Sequence, residues 1–304
     1  MRRWIGLWLA LWAIASLPAG AEGPLAKAEA ATLHGTELSA GGLPAYLRYT
    51  PDRKPLVSAH RGGDMPGYPE NAIETLAHTL TVGPSLLEVD IRRLKDGTLI
   101  LMHDETLERT TTGEGRVDEV TYDYVKGLYL QDPEGKATPF RVPTLDQVLA
   151  FTRQAKAILS LDIKAGVDIV EVARHVRAAD VADRVVLITY SHGQAMAFHA
   201  AAPEMMLSVS IDSQDDIERV KASGIDPKLI VAWTGLQVRE RVLYDAIHAE
   251  GWLAMLGTLG SPSKSLDARI AAAGDDTRYL DFLAAGADII ATDRHAAVQA
   301  VLRR

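Results

Sequence analysis

Two acidic residues, Glu88 and Asp90, are separated by one position inside an apolar stretch that is typical of a β-strand. Side chains at i and i+2 of a strand point to the same side, so the two carboxylates would share one face. Strands of a parallel barrel are buried on both faces, and two acids there are costly unless something neutralises them. Carboxylate oxygens suit Mg²⁺ or Ca²⁺, which predicts a site for one divalent cation. Asp162 and Lys164 repeat the spacing, with Asp162 as a third ligand and Lys164 directed at a substrate anion.

The acidic pair has a simpler interpretation as well. Glu88 and Asp90 could form salt bridges with nearby cations, for which the sequence offers Arg92, Arg93 and Lys164. A Glu-x-Asp pair alone favours this structural role. Its position at a strand end that faces His60 favours the metal site, because a histidine beside buried acids is expected where chemistry occurs.

Two histidines, His60 and His103, each end an apolar segment beside an Arg or an Asp. Imidazole titrates near a pH of about 6.5, so a pair of them can supply one base and one acid at neutral pH. We expect His60 and His103 to be catalytic, with His60 as the base, although the sequence does not distinguish the two roles. The other histidines lie mostly in helical or terminal segments and are expected to be structural, with His192 undecided.

Fixed positive charge beside the acids would suit a phosphate. Arg61 and Lys164 are the candidates, since a guanidinium can match phosphate oxygens in pairs. Glu70 and Asn71 precede a helical pattern. Asn71 could cap this helix, or both residues could contribute to substrate binding, with Glu70 orienting Arg61 or His60 through a hydrogen bond.

The elements that must hold these residues alternate between short apolar runs and helical patterns from Leu56 onward. This alternation predicts a parallel sheet. The predicted strands are Leu56–His60, Leu86–Ile91, Leu99–His103, Ala157–Ile163, Val185–Tyr190, Met205–Ile211, Leu229–Trp233, Trp252–Leu256 and Asp288–Thr292. The predicted helices are Ile73–Leu80, Thr144–Arg153, Asp168–Arg177, Gly193–Ala200, Gln214–Lys221, Gln237–Ala249 and Asp276–Ala285.

Nine strands are one too many for an eight-stranded barrel, and the length of one connection resolves this. Only residues 92–98 join the second and third strands, and they contain Asp96-Gly97, a strong hairpin signal. The third strand should therefore run antiparallel, which leaves eight parallel strands. The prediction is an α/β fold, a TIM (β/α)8 barrel with a small insertion, about 104–143, after the hairpin. A doubly wound sheet is the rival fold, and no Gly-x-Gly-x-x-Gly follows the first strand to support its nucleotide-binding form.

Composition excludes several classes of protein. The chain has 304 residues, 47% apolar and 24% charged, which is ordinary globular usage. Its formal charge of −8 makes it a poor nucleic-acid binder, since phosphate-backbone affinity needs clustered Lys and Arg. Cysteine is absent, so disulfides, thiolate zinc sites and cysteine nucleophiles are excluded.

The N-terminus resembles a secretory signal peptide. Arg2 and Arg3 precede an apolar run that ends in Ala19-Gly20-Ala21, a small-x-small cleavage site. An uncleaved membrane anchor is the alternative, but spanning takes about 20 apolar residues. We therefore expect 1–21 to be removed, 22–50 to form a leader or irregular wrap, and 51–304 to be the catalytic barrel. The mature protein should be periplasmic or secreted, without stable membrane anchoring.

Taken in order, the motifs resemble those of the glycerophosphodiester phosphodiesterases between about residues 56 and 295. The matching motifs are His60-Arg61-Gly62, Pro69-Glu70-Asn71, Glu88-x-Asp90, Asp96-Gly97, His103-Asp104, Arg109-Thr110-Thr111, Pro143-Thr144-Leu145, Asp162-x-Lys164 and Thr292-Asp293. The resemblance implies a TIM-type barrel, acid and base roles for His60 and His103, and one divalent cation, Mg²⁺ or Ca²⁺, bound by Glu88, Asp90 and Asp162. It also implies hydrolysis of a small-molecule phosphodiester to sn-glycerol 3-phosphate and an alcohol.

Two alternatives stay open at this point. The chain could act like lysophospholipase D or sphingomyelinase D, related barrels that form cyclic phosphates, because the family's Trp-Thr-Val-Asn is replaced here by Trp252-Leu253-Ala254-Met255. It could also be a non-catalytic periplasmic protein that binds a phosphoester. The sequence leaves open the headgroup, the nucleophile (water or an internal hydroxyl), the choice between Mg²⁺ and Ca²⁺, and the oligomeric state.

Overall fold

The computed structural model describes residues 32–303, and the predicted signal peptide lies outside this range. Its strands are β1 Leu56–Ala59, β2 Ser85–Arg93, β3 Leu99–Leu101, β4 Tyr129–Gln131, β5 Ala137–Arg141, β6 Ile158–Ile163, β7 Val185–Ile188, β8 Met206–Ser210, β9 Ile230–Trp233, β10 Leu253–Gly257 and β11 Ile289–Thr292. The α-helices are α1 Gly42–Tyr46, α2 Ile73–Val82, α3 Tyr122–Val125, α4 Leu145–Ala155, α5 Ile169–Ala178, α6 His192–Ala201, α7 Gln214–Ala222, α8 Arg241–Ala249, α9 Leu266–Ala273, α10 Tyr279–Ala285 and α11 His295–Leu302. Short 3₁₀ turns span His60–Gly62, Val117–Glu119, Ala182–Arg184, Pro227–Leu229 and Asp276–Arg278.

Eight parallel strands close into a barrel. They run in the order β1, β2, β6, β7, β8, β9, β10 and β11, and β11 pairs with β1 to complete the circle. Strand β3 lies outside this circle and pairs antiparallel with the end of β2, where Arg93 lies opposite Leu99. The predicted TIM barrel and the antiparallel hairpin excursion are therefore confirmed.

Five helices begin at a side chain that caps the helix N-terminus. Thr144 forms a full capping box with Gln147 at the start of α4. Asp168, Ser191, Ser213 and Ser265 each accept a backbone N–H at the start of α5, α6, α7 and α9. These caps fix the residue at which each of these five helices begins, whereas α2, α8 and α11 begin without a side-chain cap.

Several elements were not predicted. Helix α9, which lies between β10 and the predicted helix Asp276–Ala285, and helix α11 after β11 were not predicted, and α8 begins at Arg241 where the prediction began at Gln237. The insertion after the hairpin contains α3 and the antiparallel pair β4–β5, packed over its own apolar cluster that includes Leu107, Val125 and Leu130. The insertion is thus a small folded unit beside the barrel mouth.

Residues 32–50 lie across the amino-terminal end of the barrel. Leu43 and Leu47 are 1% exposed and pack onto the inward-facing side chains of the strands, such as Leu56 and Ile289. Backbone bonds from His34 N to Leu80 O (2.8 Å) and from Thr36 N to Lys156 O (2.9 Å) fix the segment. Within residues 32–303, no helix is long and apolar enough to cross a membrane.

His295 lies behind the turn that follows β1 and is 2% exposed. Gly63 has a φ of 91°, and a Cβ added there would come within 2.6 Å of His295 Nδ1, so only glycine allows this packing. Burial is the main cause that lowers the pKa of His295 to about 4, and the charge of His78 adds to it. The folded protein therefore holds this ring neutral.

We predict that His295 makes the free energy of unfolding sensitive to acid. Its folded-state pKa is below the unfolded value, so its stabilisation is complete above a pH of about 6.5 and is lost as the pH falls towards 4. His295→Gln should lose less unfolding free energy between pH 7 and pH 4.5 than the wild type does, by up to roughly 3 kcal/mol. Urea denaturation at both pH values measures this, and equal losses in the two proteins would contradict the prediction.

Candidate active site

Three carboxylates from two neighbouring strands converge at the carboxyl end of the barrel. Glu88 and Asp90 lie on β2, and Asp162 lies on β6 directly opposite Asp90. One oxygen of each lies within 4.8 Å of the others, and the three residues are buried. This is the acidic group that the i, i+2 spacing predicted.

Protein groups compensate only part of this negative charge. Lys164 Nζ lies 2.6 Å from Asp90 Oδ1 and 2.5 Å from Asp162 Oδ2. With all three carboxylates ionised, one ammonium leaves an excess of two negative charges, and Asp162 Oδ1 is buried with no hydrogen-bond partner among residues 32–303. The donor set is all oxygen, as hard divalent cations prefer, so Glu88, Asp90 and Asp162 fit such an ion.

The pKa values of the acidic residues reflect this balance. Burial, followed by the charge of Asp90, raises the pKa of Glu88 to about 8. Burial also opposes ionisation of Asp90, but Lys164 and a hydrogen bond from Asn71 outweigh it and lower its pKa. Glu88 therefore tends to hold a proton, and a cation bound by the three carboxylates would displace that proton.

Salt bridges with Lys164 do form, as the simpler interpretation of the acids expected. The two arginines do not take part: Arg92 donates to the carbonyl of His103 (2.9 Å) and Arg93 pairs with Glu171 (3.3 Å). Lys164 therefore lies among the carboxylates, and its ammonium is not free to face an open cavity as we had expected.

The prediction that Asn71 caps the following helix is wrong. Ala72 occupies the cap position of α2, and no side chain caps that helix. Asn71 instead adopts a left-handed φ of 58°, which Asn tolerates better than most residues. Its Nδ2 donates to Asp90 Oδ2 (2.7 Å), and its Oδ1 accepts from Asp90 N (2.9 Å). Asn71 thereby fixes one of the acids in place.

Each of the two predicted catalytic histidines is paired with an aspartate. His60 Nδ1 lies 2.6 Å from Asp293 Oδ1, and His103 Nδ1 lies 2.7 Å from Asp104 Oδ1. These contacts occupy Nδ1 in both rings, and no protein partner engages Nε2 of either ring among residues 32–303. Burial opposes protonation of His60, but Asp293 and the charge of Glu88 outweigh it and raise its pKa.

Arg109 is a residue whose role the sequence analysis missed. It lies in the insertion and donates to both oxygens of Glu70, at 2.8 and 2.9 Å. It also donates to Asp104 at 2.5 and 3.0 Å, and these bonds lower the pKa of Asp104. Glu70 also accepts a hydrogen bond from Arg61 (2.9 Å), which is one of the roles expected for Glu70. The motif Arg109-Thr110-Thr111 matched the family pattern, but the motif alone does not indicate this contact.

Backbone geometry also contributes to the site. Arg61 lies in the 3₁₀ turn after β1 with a φ of 50°, and its N–H donates to Glu88 Oε2 at 2.6 Å. Tyr190, at the end of β7, donates its hydroxyl to Asp162 Oδ2 at 2.6 Å, a contact that the sequence did not suggest. The Arg61 N–H thus fixes Glu88, and the Tyr190 hydroxyl fixes Asp162.

Two cavities meet at His60, which lines both. The outer cavity, about 1010 Å³, is bordered by Arg61, Asp64, Glu70 and residues 131–135 of the insertion. The inner cavity, about 320 Å³, lies within the barrel mouth and reaches Glu88 and Asp162. In the outer cavity, burial and the nearby charges of Glu70 and Asp293 raise the pKa of Asp64 to about 6. A ligand at the junction of the two cavities would lie beside His60.

Comparison with known proteins identifies the family. The model of the glycerophosphoryl diester phosphodiesterase family matches residues 60–210, which include every residue predicted for the site. The crystal structure of a glycerophosphoryl diester phosphodiesterase from Parabacteroides distasonis is 32% identical, with a TM-score of 0.79, over 90% of this chain and 93% of that one. The chain belongs to the glycerophosphoryl diester phosphodiesterase family. The prediction that the chain is a phosphodiesterase is thereby confirmed.

Two further relatives extend this comparison. A glycerophosphodiester phosphodiesterase from Caldanaerobacter subterraneus subsp. tengcongensis is 30% identical over 162 residues, which is 51% of this chain and 66% of that protein. A phosphodiesterase from Oleispira antarctica, solved in complex with the product sn-glycerol-3-phosphate, has a TM-score of 0.63 at 19% identity over 83% of this chain and 98% of that one. The second likeness concerns the fold alone.

We predict that Arg109 supports turnover in this phosphodiesterase by positioning Asp104 and His103. Arg109→Gln removes four charge-assisted bonds and should lower kcat about 10–100-fold, a range typical of residues that orient catalytic groups. The matched control is Arg116→Gln in the same insertion, since within residues 32–303 the ion pairs of Arg116 are with exposed acids such as Glu105 and Asp118. Steady-state kinetics and thermal unfolding of both variants give the result. An equal loss of kcat in the two variants would refute the positioning role.

Proposed function

We propose that this chain hydrolyses glycerophosphodiesters to sn-glycerol 3-phosphate and an alcohol, with the help of one divalent cation, Mg²⁺ or Ca²⁺. One observation carries the proposal: three buried carboxylates lie near two His–Asp pairs at the mouth of this family's barrel. The Oleispira phosphodiesterase, which shares the fold, holds sn-glycerol-3-phosphate as its product.

In the proposed mechanism, Glu88, Asp90 and Asp162 would hold the cation. Such an ion supplies Lewis-acid stabilisation of charge on a phosphate oxygen. Arg61 borders the outer cavity next to His60, and its guanidinium donates to Glu70. It can therefore bind a second oxygen of the phosphate with directed hydrogen bonds.

The two histidines transfer the protons in this mechanism. Because Asp293 and Asp104 occupy Nδ1, the free Nε2 of each ring is the atom available to the substrate. We assign His60 as the base that takes the proton from the nucleophile and His103 as the acid that donates one to the leaving alkoxide. Each aspartate fixes the orientation of its ring, as a hydrogen-bonded carboxylate does in other acid–base pairs.

The decisive experiment measures product formation from glycerophosphocholine. We expect release of sn-glycerol 3-phosphate and choline, loss of turnover after EDTA treatment, and recovery with added Mg²⁺ or Ca²⁺. A cyclic phosphate as the final product would instead identify an internal hydroxyl as the nucleophile. Stoichiometric binding of the substrate without any product would favour the phosphoester-binding protein.

The histidine variants complete this experiment. His60→Ala and His103→Ala should each lower kcat by several orders of magnitude, since each removes an acid–base group. His199→Ala is the matched control, because His199 lies on α6 and lines neither cavity. Circular dichroism verifies folding of all three. Near-normal turnover in either of the first two variants would reject their assignment.

We also propose that the protein is exported. The support is the sequence of residues 1–21, where two arginines precede an apolar run and a small-x-small site. Amino-terminal sequencing of the protein from its native fractions should begin near Glu22, in a periplasmic or culture fraction. A sequence that begins at Met1 in the membrane fraction would show an uncleaved anchor.

A further inference from the structure

Asp267 is a buried carboxylate that the proposed mechanism does not use. It is the second residue of α9 and is 3% exposed. The guanidinium of Arg294 pairs with Asp276 at 2.7 Å, and within residues 32–303 Asp267 has hydrogen bonds but no ion pair. A carboxylate taken out of water is costly unless its oxygens are hydrogen-bonded. The donors around Asp267 therefore indicate which part of the fold this carboxylate stabilises.

Asp267 accepts hydrogen bonds on both oxygens. Its Oδ1 accepts from the Tyr279 hydroxyl at 2.6 Å. Its Oδ2 accepts from the Thr292 hydroxyl at 2.9 Å and from the Asp293 N–H at 2.8 Å. Burial, followed by the bond to Asp267, raises the pKa of Tyr279, so the tyrosine keeps its proton and stays a donor. Since Ser265 caps α9 and two of the three donors lie where β11 ends, the carboxylate fixes the turn after this strand.

The turn after β11 carries the aspartate that holds His60. Asp293 Oδ1 lies 2.6 Å from His60 Nδ1, and Asp293 Oδ2 accepts from the Gly260 N–H at 2.9 Å. The side chain of Asp293 borders the outer cavity and is 34% exposed, so packing alone does not fix it. Its position depends on these bonds and on the main chain from which it extends, which Asp267 holds through the Asp293 N–H.

Position 267 supplies a hydrogen-bond acceptor to this turn. The Asp293 N–H can only donate, whereas the Tyr279 hydroxyl can also accept. An asparagine could keep the bond to Asp293 with its single oxygen and direct its –NH2 at Tyr279. Alanine would offer no acceptor, and an N–H that loses its acceptor in a part-buried place is costly, so the turn would shift. The two substitutions therefore separate the hydrogen bond from the charge.

We propose that Asp267 is a positioning residue of this phosphodiesterase, which fixes the turn after β11 so that Asp293 keeps the His60 ring directed at the substrate. The inference rests on the proposed function, in which His60 is the base. Asp267 borders neither the outer nor the inner cavity, so it acts on the reaction through Asp293. The Asp293–His60 pair is thus held from the barrel wall, whereas Asp104 of the other pair is held by Arg109 of the insertion.

The first test compares two substitutions of Asp267 on glycerophosphocholine with added Mg²⁺. Asp267→Ala should lower kcat about 10–100-fold, the range for residues that orient catalytic groups. The KM should stay within about threefold of wild type, because the groups proposed to bind the cation and the phosphate are unchanged. Asp267→Asn should recover kcat to within about fivefold of wild type, because it keeps an acceptor. The matched control is Asp276→Ala, whose partner is Arg294 beside the same turn, and it should keep the wild-type kcat.

A double variant tests the route through Asp293. Asp293→Ala removes the carboxylate beside His60, so that the position of its main chain no longer affects the ring. Asp267→Ala added to Asp293→Ala should therefore lower kcat by at most about twofold more, because substitutions that act through one group are not additive. Full multiplication of the two losses would show a general structural role and overturn the proposal. Equal losses of kcat in Asp267→Ala and Asp267→Asn would overturn it too.

Tyr279→Phe is a milder variant that retains the buried ring. It removes the bond that orients Asp267 Oδ1 and should lower kcat about two- to tenfold, the value of one hydrogen bond. The same substitution should have no effect on kcat when Asp293→Ala is already present. Thermal unfolding verifies that the variants are folded, and Tyr279→Phe tests the same route should Asp267→Ala be too unstable to assay.

A measurement on the ring itself makes the inference independent of turnover. A histidine N–H bonded to a carboxylate gives a proton NMR signal far downfield, and His60→Ala assigns the signal of His60. This signal should shift or broaden in Asp267→Ala and stay unchanged in Asp276→Ala. A wild-type signal with wild-type kcat in Asp267→Ala overturns the inference and leaves the proposed hydrolysis standing. Absence of choline release by the wild type overturns the hydrolysis, while a shifted signal in Asp267→Ala still supports positioning of the ring by Asp267.

Discussion

Mutual repulsion among three buried carboxylates is the constraint on which the rest of this barrel mouth depends. Charges without water cost several kcal/mol each unless other groups compensate them. Every neighbouring element contributes to this compensation: Lys164 follows β6, Asn71 precedes α2, Tyr190 follows β7, and the N–H of Arg61 lies in the turn after β1. The acids are therefore held in place before any ligand arrives, which is the preorganisation that phosphoryl chemistry needs.

The closed parallel barrel makes this gathering possible. Neighbouring strands lie about 4.8 Å apart, so that Asp90 on β2 and Asp162 on β6 come together through their register alone. The loops then adopt uncommon backbone geometry around them. Arg61 and Asn71 both have positive φ, and Asn71 N donates to Arg61 O at 2.9 Å. Such conformations persist where surrounding interactions stabilise them. Here the stabilising hydrogen bonds join Arg61 and Asn71 to Glu88 and Asp90 of the acidic cluster.

Sequence patterns were sufficient to predict most of the fold and the acidic centre of the site. Strand–helix alternation, the Asp96-Gly97 turn and the i, i+2 acids each depend on local chemistry, and the barrel and the acidic cluster followed from them. The role of Asn71 stayed open because asparagine suits both a helix cap and a left-handed backbone, and only the tertiary contact to Asp90 decides between them. Arg109 was missed because its partner Glu70 is 39 positions away in the chain.

The segment that crosses the amino-terminal end of the barrel separates two faces of the molecule. Leu43 and Leu47 seal the end opposite the acids, while the insertion and the loops after the strands surround the entrance. A tag, linker or solid support joined ahead of residue 32 consequently approaches from the sealed side. The enzyme can be immobilised by that end with its entrance turned towards the solution, so that even a bulky substrate would reach it unhindered.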